Sequence, residues 1–161
     1  MSAGRVLAID YGTKRIGVAV SDELGWTAQP LATYRRRSLN DDLTYLRDLV
    51  QEYVVREVVI GLPVRTNGDL GPEAHAVELF RQRLQAVLAV PVVTWDERYT
   101  TQSAEAVLLE ADVSRTKRKL AVDRIAAAIL LQDYLASQAA NSLSPEPQED
   151  DRDEWANPLG A

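Results

Sequence analysis

Four carboxylates stand where this sequence changes character. Asp10 closes the apolar run that begins at Arg5, Asp96 and Glu97 close Pro91-Val-Val-Thr-Trp95, and Asp123 lies one turn before Ala126 and Ala127. Carboxylates gathered in one cleft repel unless a cation joins them. Hard oxygen donors of this kind suit Mg²⁺ or Mn²⁺. Two such ions about 4 Å apart are a recurrent device for in-line phosphodiester cleavage, one activating water and the other stabilising the leaving oxygen. Each acid also has a plainer reading. Asp10, just before Gly12, can cap a turn; Asp123 can complement a helix N-terminus; Asp96 and Glu97 can be a solvated pair. Neighbouring strand residues point to opposite faces, so only one of Asp96 and Glu97 is expected to face a cleft. The set is a stronger signal than any member.

Cations flank these acids. Lys14 and Arg15 follow Asp10, Arg98 follows Glu97, and Arg115, Lys117, Arg118 and Lys119 precede Asp123. These are the expected nucleic-acid contacts, the last four as a polar basic loop that meets phosphates. Arg35-Arg36-Arg37 is a further basic run. Gly61, Asn67, Gly68 and Gly71 precede a helix start where backbone N–H groups can meet an anion, but a plain turn is the better reading. His75 is expected on a helix surface. Trp155 is as readily an exposed residue as a docking anchor.

The chain has 161 residues, no cysteine and one histidine. Disulfides, thiolate nucleophiles and Cys-type zinc or iron–sulfur sites are excluded, and a multi-histidine metal site or a Ser-His-Asp triad almost so. Any chemistry rests on carboxylates, hydroxyls, Lys, Arg and backbone. The net charge of −6 is uneven: residues 141–161 hold six acids and one base, which leaves the body close to neutral with basic patches. Such patches can bind a polyanion. No apolar stretch approaches a membrane span and no signal-peptide pattern opens the chain, so a cytoplasmic protein without membrane contact is expected.

The elements that must position the acids follow from periodicity. Arg5 to Asp10, Ile16 to Ser21 and Thr27 to Tyr34 read as three hairpin-connected strands, with Pro30 marking an edge or bulge. Leu39 to Tyr53 has helical spacing, with Ser38 or Asn40 as N-cap. Glu57 to Ile60 is a buried strand, Pro72 opens a helix with Pro at its first position and Glu73 in its first turn, and Pro91 to Trp95 is a fifth strand. A helix capped by Thr100 or Thr101 to about Glu110 and a last helix from about Leu120 to Ser137 complete the body. That places Asp123 in the first turn of the last helix. This order predicts an α/β domain over residues 1–140, with a five-stranded mixed sheet, three antiparallel strands first and parallel strands added by right-handed crossovers, flanked by helices. Residues 141–161, rich in Ser, Pro, Glu, Asp and Gln, read as a disordered acidic tail. Its charge is expected to compete with nucleic acid for the basic loop.

Four ordered motifs resemble one family. Asp10-Tyr-Gly-Thr-Lys-Arg-Ile-Gly-Val-Ala-Val-Ser-Asp22, Ile60-Gly-Leu-Pro63 with Asn67-Gly68, Asp96-Glu-Arg-Tyr-Thr-Thr101, and Asp123-Arg-Ile-Ala-Ala-Ala-Ile-Leu130 within Lys119–Tyr134 are similar to the YqgF (RuvX-type) family, over roughly residues 5–136. The resemblance implies a ribonuclease-H-like fold and a cytoplasmic, divalent-metal nuclease using Mg²⁺ or Mn²⁺. It implies Asp10, Glu97 and Asp123 as catalytic and metal-holding residues. Its proposed tasks are maturation of the 5′ end of precursor 16S ribosomal RNA and resolution of Holliday junctions. The first takes ribosomal RNA as partner. The second takes branched DNA and needs two paired sites, hence a homodimer. Resolvases of the wider group carry an acid at the end of the fourth strand, where this chain has Ile60-Gly61-Leu62-Pro63. Glu97 would then have to lean across about 10 Å, two strand spacings, over Gly61. A phosphotransferase is disfavoured, because Asp10-Tyr-Gly-Thr13 resembles a phosphate motif of actin-like kinases that need two domains, and no P-loop is present. A non-catalytic RNA-binding assembly factor is the remaining class.

Overall fold

The computed structural model describes residues 4–65, 67–96 and 115–143, the side chains of 115–120 and 142–143 excepted. Strands β1 (Arg5–Tyr11), β2 (Arg15–Ser21) and β3 (Ala28–Arg35) are followed by helix α1 (Leu39–Glu52), β4 (Val55–Leu62), α2 (Pro72–Val87), β5 (Val92–Asp96) and α3 (Arg115–Leu143). The five strands form one sheet in the order β3-β2-β1-β4-β5. β1, β2 and β3 pair antiparallel, while β4 and β5 run parallel to β1. This is the expected mixed sheet.

Strand alternation divides the core in two. Leu7, Ile9, Ile16, Val18, Val58, Ile60 and Val92 pack with α1 and α2. Val6, Ala8, Ala19 and Val59 pack with Ala127, Leu130, Leu131 and Tyr134 of α3. The two faces differ in residue size for a reason. Ala8 and Ala19 are fully buried under α3, as is Ala127, so this helix sits close to the sheet. Enlarging any of the three overpacks the layer, at about 1–3 kcal/mol.

Local signals set the helix ends. The Ser38 hydroxyl accepts the Asp41 N–H at 3.1 Å and caps α1. Pro72 opens α2 behind Gly71. The far half of α3 is pinned by the Tyr134 hydroxyl, which donates to the Glu57 carboxylate, and by an edge-on contact of Tyr134 with Trp95. Because Glu57 lies near the start of β4 and Leu135 lies beside Gly25, α3 runs antiparallel to β1.

Two expectations change here. The stretch Arg115–Lys119 is helical, because α3 begins at Arg115 and not near Leu120. Lys and Arg are good helix formers and no Gly or Pro interrupts them; polarity alone suggested a loop. Asp123 consequently lies in the third turn, beyond reach of the helix-end dipole, which fades within the first turn. The helix continues to Leu143, past residue 140. The helix expected near 100–110 and the acidic residues after 143 lie outside the described residues.

Candidate active site

Asp10 is the penultimate residue of β1 and shares the α3 face with Val6 and Ala8. Its antiparallel partner is Gly17. On the other side, one step beyond the Ile9–Ile60 pair, stands Gly61. The Asp10 carboxylate therefore rises from a trough in which neither cross-strand neighbour carries a side chain. Gly17 has a second task. A Cβ added to it would lie 2.0 Å from the Asp123 carbonyl oxygen and 2.2 Å from its carbon. The α3 backbone rests on the strand at this point, and only glycine permits it. Directly opposed residues of an antiparallel pair are about 5 Å apart, so Asp123 is set beside Asp10.

The Asp123 carboxylate is oriented by Arg15, whose Nε donates to Oδ2 at 2.7 Å. Both side chains are partly exposed, 34% and 22%. The ion pair is then worth little in stability, and its consequence is geometric: it fixes where the carboxylate points.

β5 settles which way Asp96 faces. Asp96 pairs with Leu62, and Leu62 packs on the α1–α2 side. Asp96 is exposed and lies on the face opposite Asp10. Trp95, the partner of Gly61, is on the α3 side. Glu97 and Arg98 lie outside the described residues. Among the described residues no group of three or more His, Cys, Asp or Glu is close enough to hold a metal ion. The two acids at hand are still hard oxygen donors, a donor type suited to Mg²⁺ or Mn²⁺.

The cations converge on the same end of the sheet. Lys14 is exposed in the β1–β2 turn, where Gly12 N–H donates to the Arg15 carbonyl at 2.9 Å. Arg15 opposes Arg35, and the Arg36 N–H donates to the Lys14 carbonyl at 2.9 Å. Thr13, Lys14, Arg15, Thr33 and Arg35–Arg37 line a groove of about 730 Å³. Arg115, Lys117, Arg118 and Lys119 occupy the first turns of α3, upstream of Asp123. At about 1.5 Å per residue, the helix carries Lys117 about 9 Å beyond Asp123, past the carboxyl end of β1.

The basic run at Arg35–Arg37, which in sequence reads only as a patch able to bind a polyanion, takes a definite place in the structure. The signal was the hairpin: once β2 and β3 pair, Arg35 must face Arg15. Asp42 completes this corner. It is fully buried, its Oδ2 accepts from Arg36 Nε at 3.0 Å and its Oδ1 from the Arg37 N–H at 3.0 Å. Burial, then the bond to Asp42, raises the Tyr34 phenol above its ordinary pKa. Arg36 also stacks on Tyr11, 4.6 Å from the ring centroid, and donates to the Gly12 carbonyl at 3.2 Å.

The remaining candidates are plain. Asn67 and Asp69 bond to each other, Gly68 takes a positive φ of 89°, and Val64 bridges Leu70, which makes this stretch a self-contained turn. His75 is exposed on α2.

Known proteins resemble this chain in sequence and in fold. The profile of the RuvX family, described as Holliday junction resolvase, matches residues 4–137. A protein of Moorella thermoacetica named "Putative pre-16S rRNA nuclease" is 52% identical over 139 residues, 86% of this chain and 99% of that one. A Bacillus subtilis protein of the same name is 46% identical over 135 residues, 83% of this chain and 98% of its own. Among solved structures, Thermus thermophilus RuvC in complex with a Holliday junction superposes with a TM-score of 0.51 at 16% identity, over 85% of this chain and 96% of that one. Fowlpox virus resolvase with junction DNA gives 0.53 at 12% identity, over 83% and 98%. At such identities the likeness concerns the fold, which is ribonuclease-H-like.

Proposed function

This chain belongs to the RuvX family, and from that premise we propose that it is a divalent-metal-dependent nuclease that hydrolyses phosphodiester bonds in maturing the 5′ end of precursor 16S rRNA. The observation that carries the reading is the seating of Asp123 on Gly17, the direct strand partner of Asp10. Two acids far apart in sequence thereby come to the same end of the sheet.

In this reading Asp10 and Asp123, with Glu97 as third ligand, hold Mg²⁺ or Mn²⁺, in all two ions. Glu97 is supported by the orientation of its neighbour: Asp96 faces away, which leaves Glu97 as the acid of that pair on offer to Asp10. Bound there, the ions supply a Lewis acid for the phosphoryl oxygens and an activated water. The chain's own residues do the rest. Asp10 is held rigidly by the centre of the sheet. Arg15 keeps Asp123 in one orientation. Lys14, Arg98, Arg115, Lys117, Arg118 and Lys119 neutralise phosphates flanking the scissile one. In the reaction a water oxygen bonds to phosphorus, the opposite P–O bond breaks, and the departing oxygen is protonated, giving a phosphomonoester and an alcohol. The setting is the bacterial cytoplasm, where the precursor is made.

A second reading, Holliday junction resolution, is favoured by the family's description and requires a homodimer with two paired sites. One experiment separates the two. Wild type and Asp10→Asn are incubated with single-stranded RNA bearing a ribosomal precursor leader, single-stranded DNA or a four-way DNA junction, in Mg²⁺, Mn²⁺ or EDTA. RNA cleavage lost with EDTA, and lowered on the order of 10³-fold in Asp10→Asn, is the expected result. Symmetric cuts in the junction alone support the resolvase. No cleavage of any substrate refutes the nuclease reading.

A further inference from the structure

We infer that the groove on the β3 edge binds consecutive phosphates of a single-stranded segment of the RNA substrate and delivers that strand to the carboxylates. Lys14, Arg35 and Arg37 are its phosphate contacts. The inference rests on the nuclease reading and adds a substrate track to it.

The groove's charge is the first argument. Five cations line it, Lys14, Arg15, Arg35, Arg36 and Arg37. Two are committed internally, Arg15 to Asp123 and Arg36 to Asp42. The other three are exposed. Asp41, exposed in the first turn of α1, is an acid close by, and the balance remains strongly positive. An unneutralised cluster of this kind repels itself and costs stability unless an anion joins it.

Construction is the second argument. The fully buried Asp42 is spent on fixing the arginine run. It accepts from the Arg36 side chain and from the Arg37 backbone, while Arg36 packs across Tyr11 and reaches the Gly12 carbonyl. Arg36 is a strut that ties the run to the β1–β2 turn. Arg35 and Arg37 stand on either side of it and are therefore presented from a rigid base, so binding orders little extra chain.

Placement is the third argument. Thr33 opposes Gly17, and Arg35 opposes Arg15. Asp10, Gly17 and Thr33 form one row across β1, β2 and β3 on the α3 side, and Arg15 and Arg35 form the next row outward. Arg15 lines the groove and also holds Asp123. The groove thus opens onto the carboxylates at Arg15. It continues around the sheet edge, where Tyr34 and Tyr45 stack at 4.0 Å beside the same arginines. The two rings are half-buried and stacked on each other, so they border the groove with their exposed edges, and a cationic groove at a sheet edge bordered in this way fits a single strand better than a duplex.

The test uses the full chain. Binding of a single-stranded RNA oligonucleotide is measured in EDTA at several salt concentrations, and cleavage kinetics in Mg²⁺. Each lost phosphate contact lowers the slope of log K against log salt by about 0.7 on a single strand. Arg35→Gln/Arg37→Gln is expected to lower it by about 1.4, and to raise KM with kcat little changed. Arg35→Lys/Arg37→Lys, which keeps the charges, retains the slope. Arg83→Gln, an exposed cation on α2, leaves it unchanged. Both substituted arginines are exposed, so the fold survives, which thermal unfolding checks. A double Gln variant equal to wild type in slope and KM overturns the groove and leaves the nuclease standing. A slope change seen with blunt RNA duplex and not with single strand overturns the single-strand assignment. A wild type that neither binds nor cleaves RNA removes both readings together.

Discussion

Gly17→Ala is the sharpest perturbation this architecture offers, because one methyl group separates the two carboxylates' supports. The new Cβ would start 2.0 Å from the Asp123 carbonyl oxygen, whereas ordinary contact begins at 3.4 Å. The helix or the strand must give by about 1.4 Å. Neither is free to do so. β2 is paired on both sides, and α3 is packed along its length on Ala19, Val6 and Val59. The strain of such overpacking is about 1–3 kcal/mol, a Tm lower by roughly 2–12 °C. The larger effect falls on chemistry. Asp123 moves with its backbone, its bond to Arg15 is stretched, and a misplacement of about 1 Å costs on the order of 10²-fold in rate. The assay is RNA cleavage in Mg²⁺ alongside thermal unfolding of the same preparation. Folded Gly17→Ala protein with about 10²-fold lower kcat is the expected outcome. Wild-type kcat and Tm together would refute the close seating of α3 and, with it, the positioning of Asp123.

Other expectations follow from the same contacts. Asp42→Ala leaves the Arg36 guanidinium, the Arg37 N–H and the Tyr34 hydroxyl without their buried acceptor, and denaturant unfolding should show a loss of about 3 kcal/mol; a loss below about 1 kcal/mol would contradict the strut role. Deleting residues 144–161, which carry the six acids of the tail, should tighten RNA binding, most at low salt, and an unchanged Kd ends the competition idea. Burial first, with Glu57 for Tyr134 and Asp42 for Tyr34, holds the phenols of Tyr34, Tyr45 and Tyr134 above the ordinary value. The folded protein keeps these protons after the unfolded chain begins to lose them, so their stabilisation is full below about pH 10 and is lost as pH rises beyond it. Tyrosinate absorbance should rise in separate steps, and six tyrosines ionising together at the ordinary value would argue against it.

Much of the frame was legible because its signals are local. The run from Arg5 to Asp10 is apolar on both faces, as a central strand must be, and Ser38 and Pro72 mark their helices by side-chain chemistry that acts within one turn. The mixed sheet followed from connection lengths. Asp10 stands out in the sequence as an acid ending a buried strand, whereas Asp123 taken alone reads equally well as a helix-end residue and gains weight only from the set of acids and the family resemblance. What was not legible depends on register between distant segments. The role of Arg35–Arg37 appears only when β3 pairs with β2. Asp42 reads in sequence as an ordinary acid in a helix's first turn, and its burial against Arg36 is a tertiary fact. Gly17 looks like one more glycine in a strand until α3 is laid across it. The basic stretch before Asp123 reads as a loop when its charge is weighed over its helix propensity.

The pairing of β2 with α3 also sets a condition on when this molecule can act. Arg15 and Asp123 are separated by 108 positions in the chain, and closing so long a loop is an entropic cost that is met only once the intervening sheet is in place. During synthesis the hairpin carrying Asp10 emerges first and the helix carrying Asp123 emerges last among the elements described. A nascent chain therefore holds half a centre, with no means of aligning it, until translation of the body is finished. Assembly order therefore delays the alignment of Asp123 with Asp10 until the last of these elements has been made.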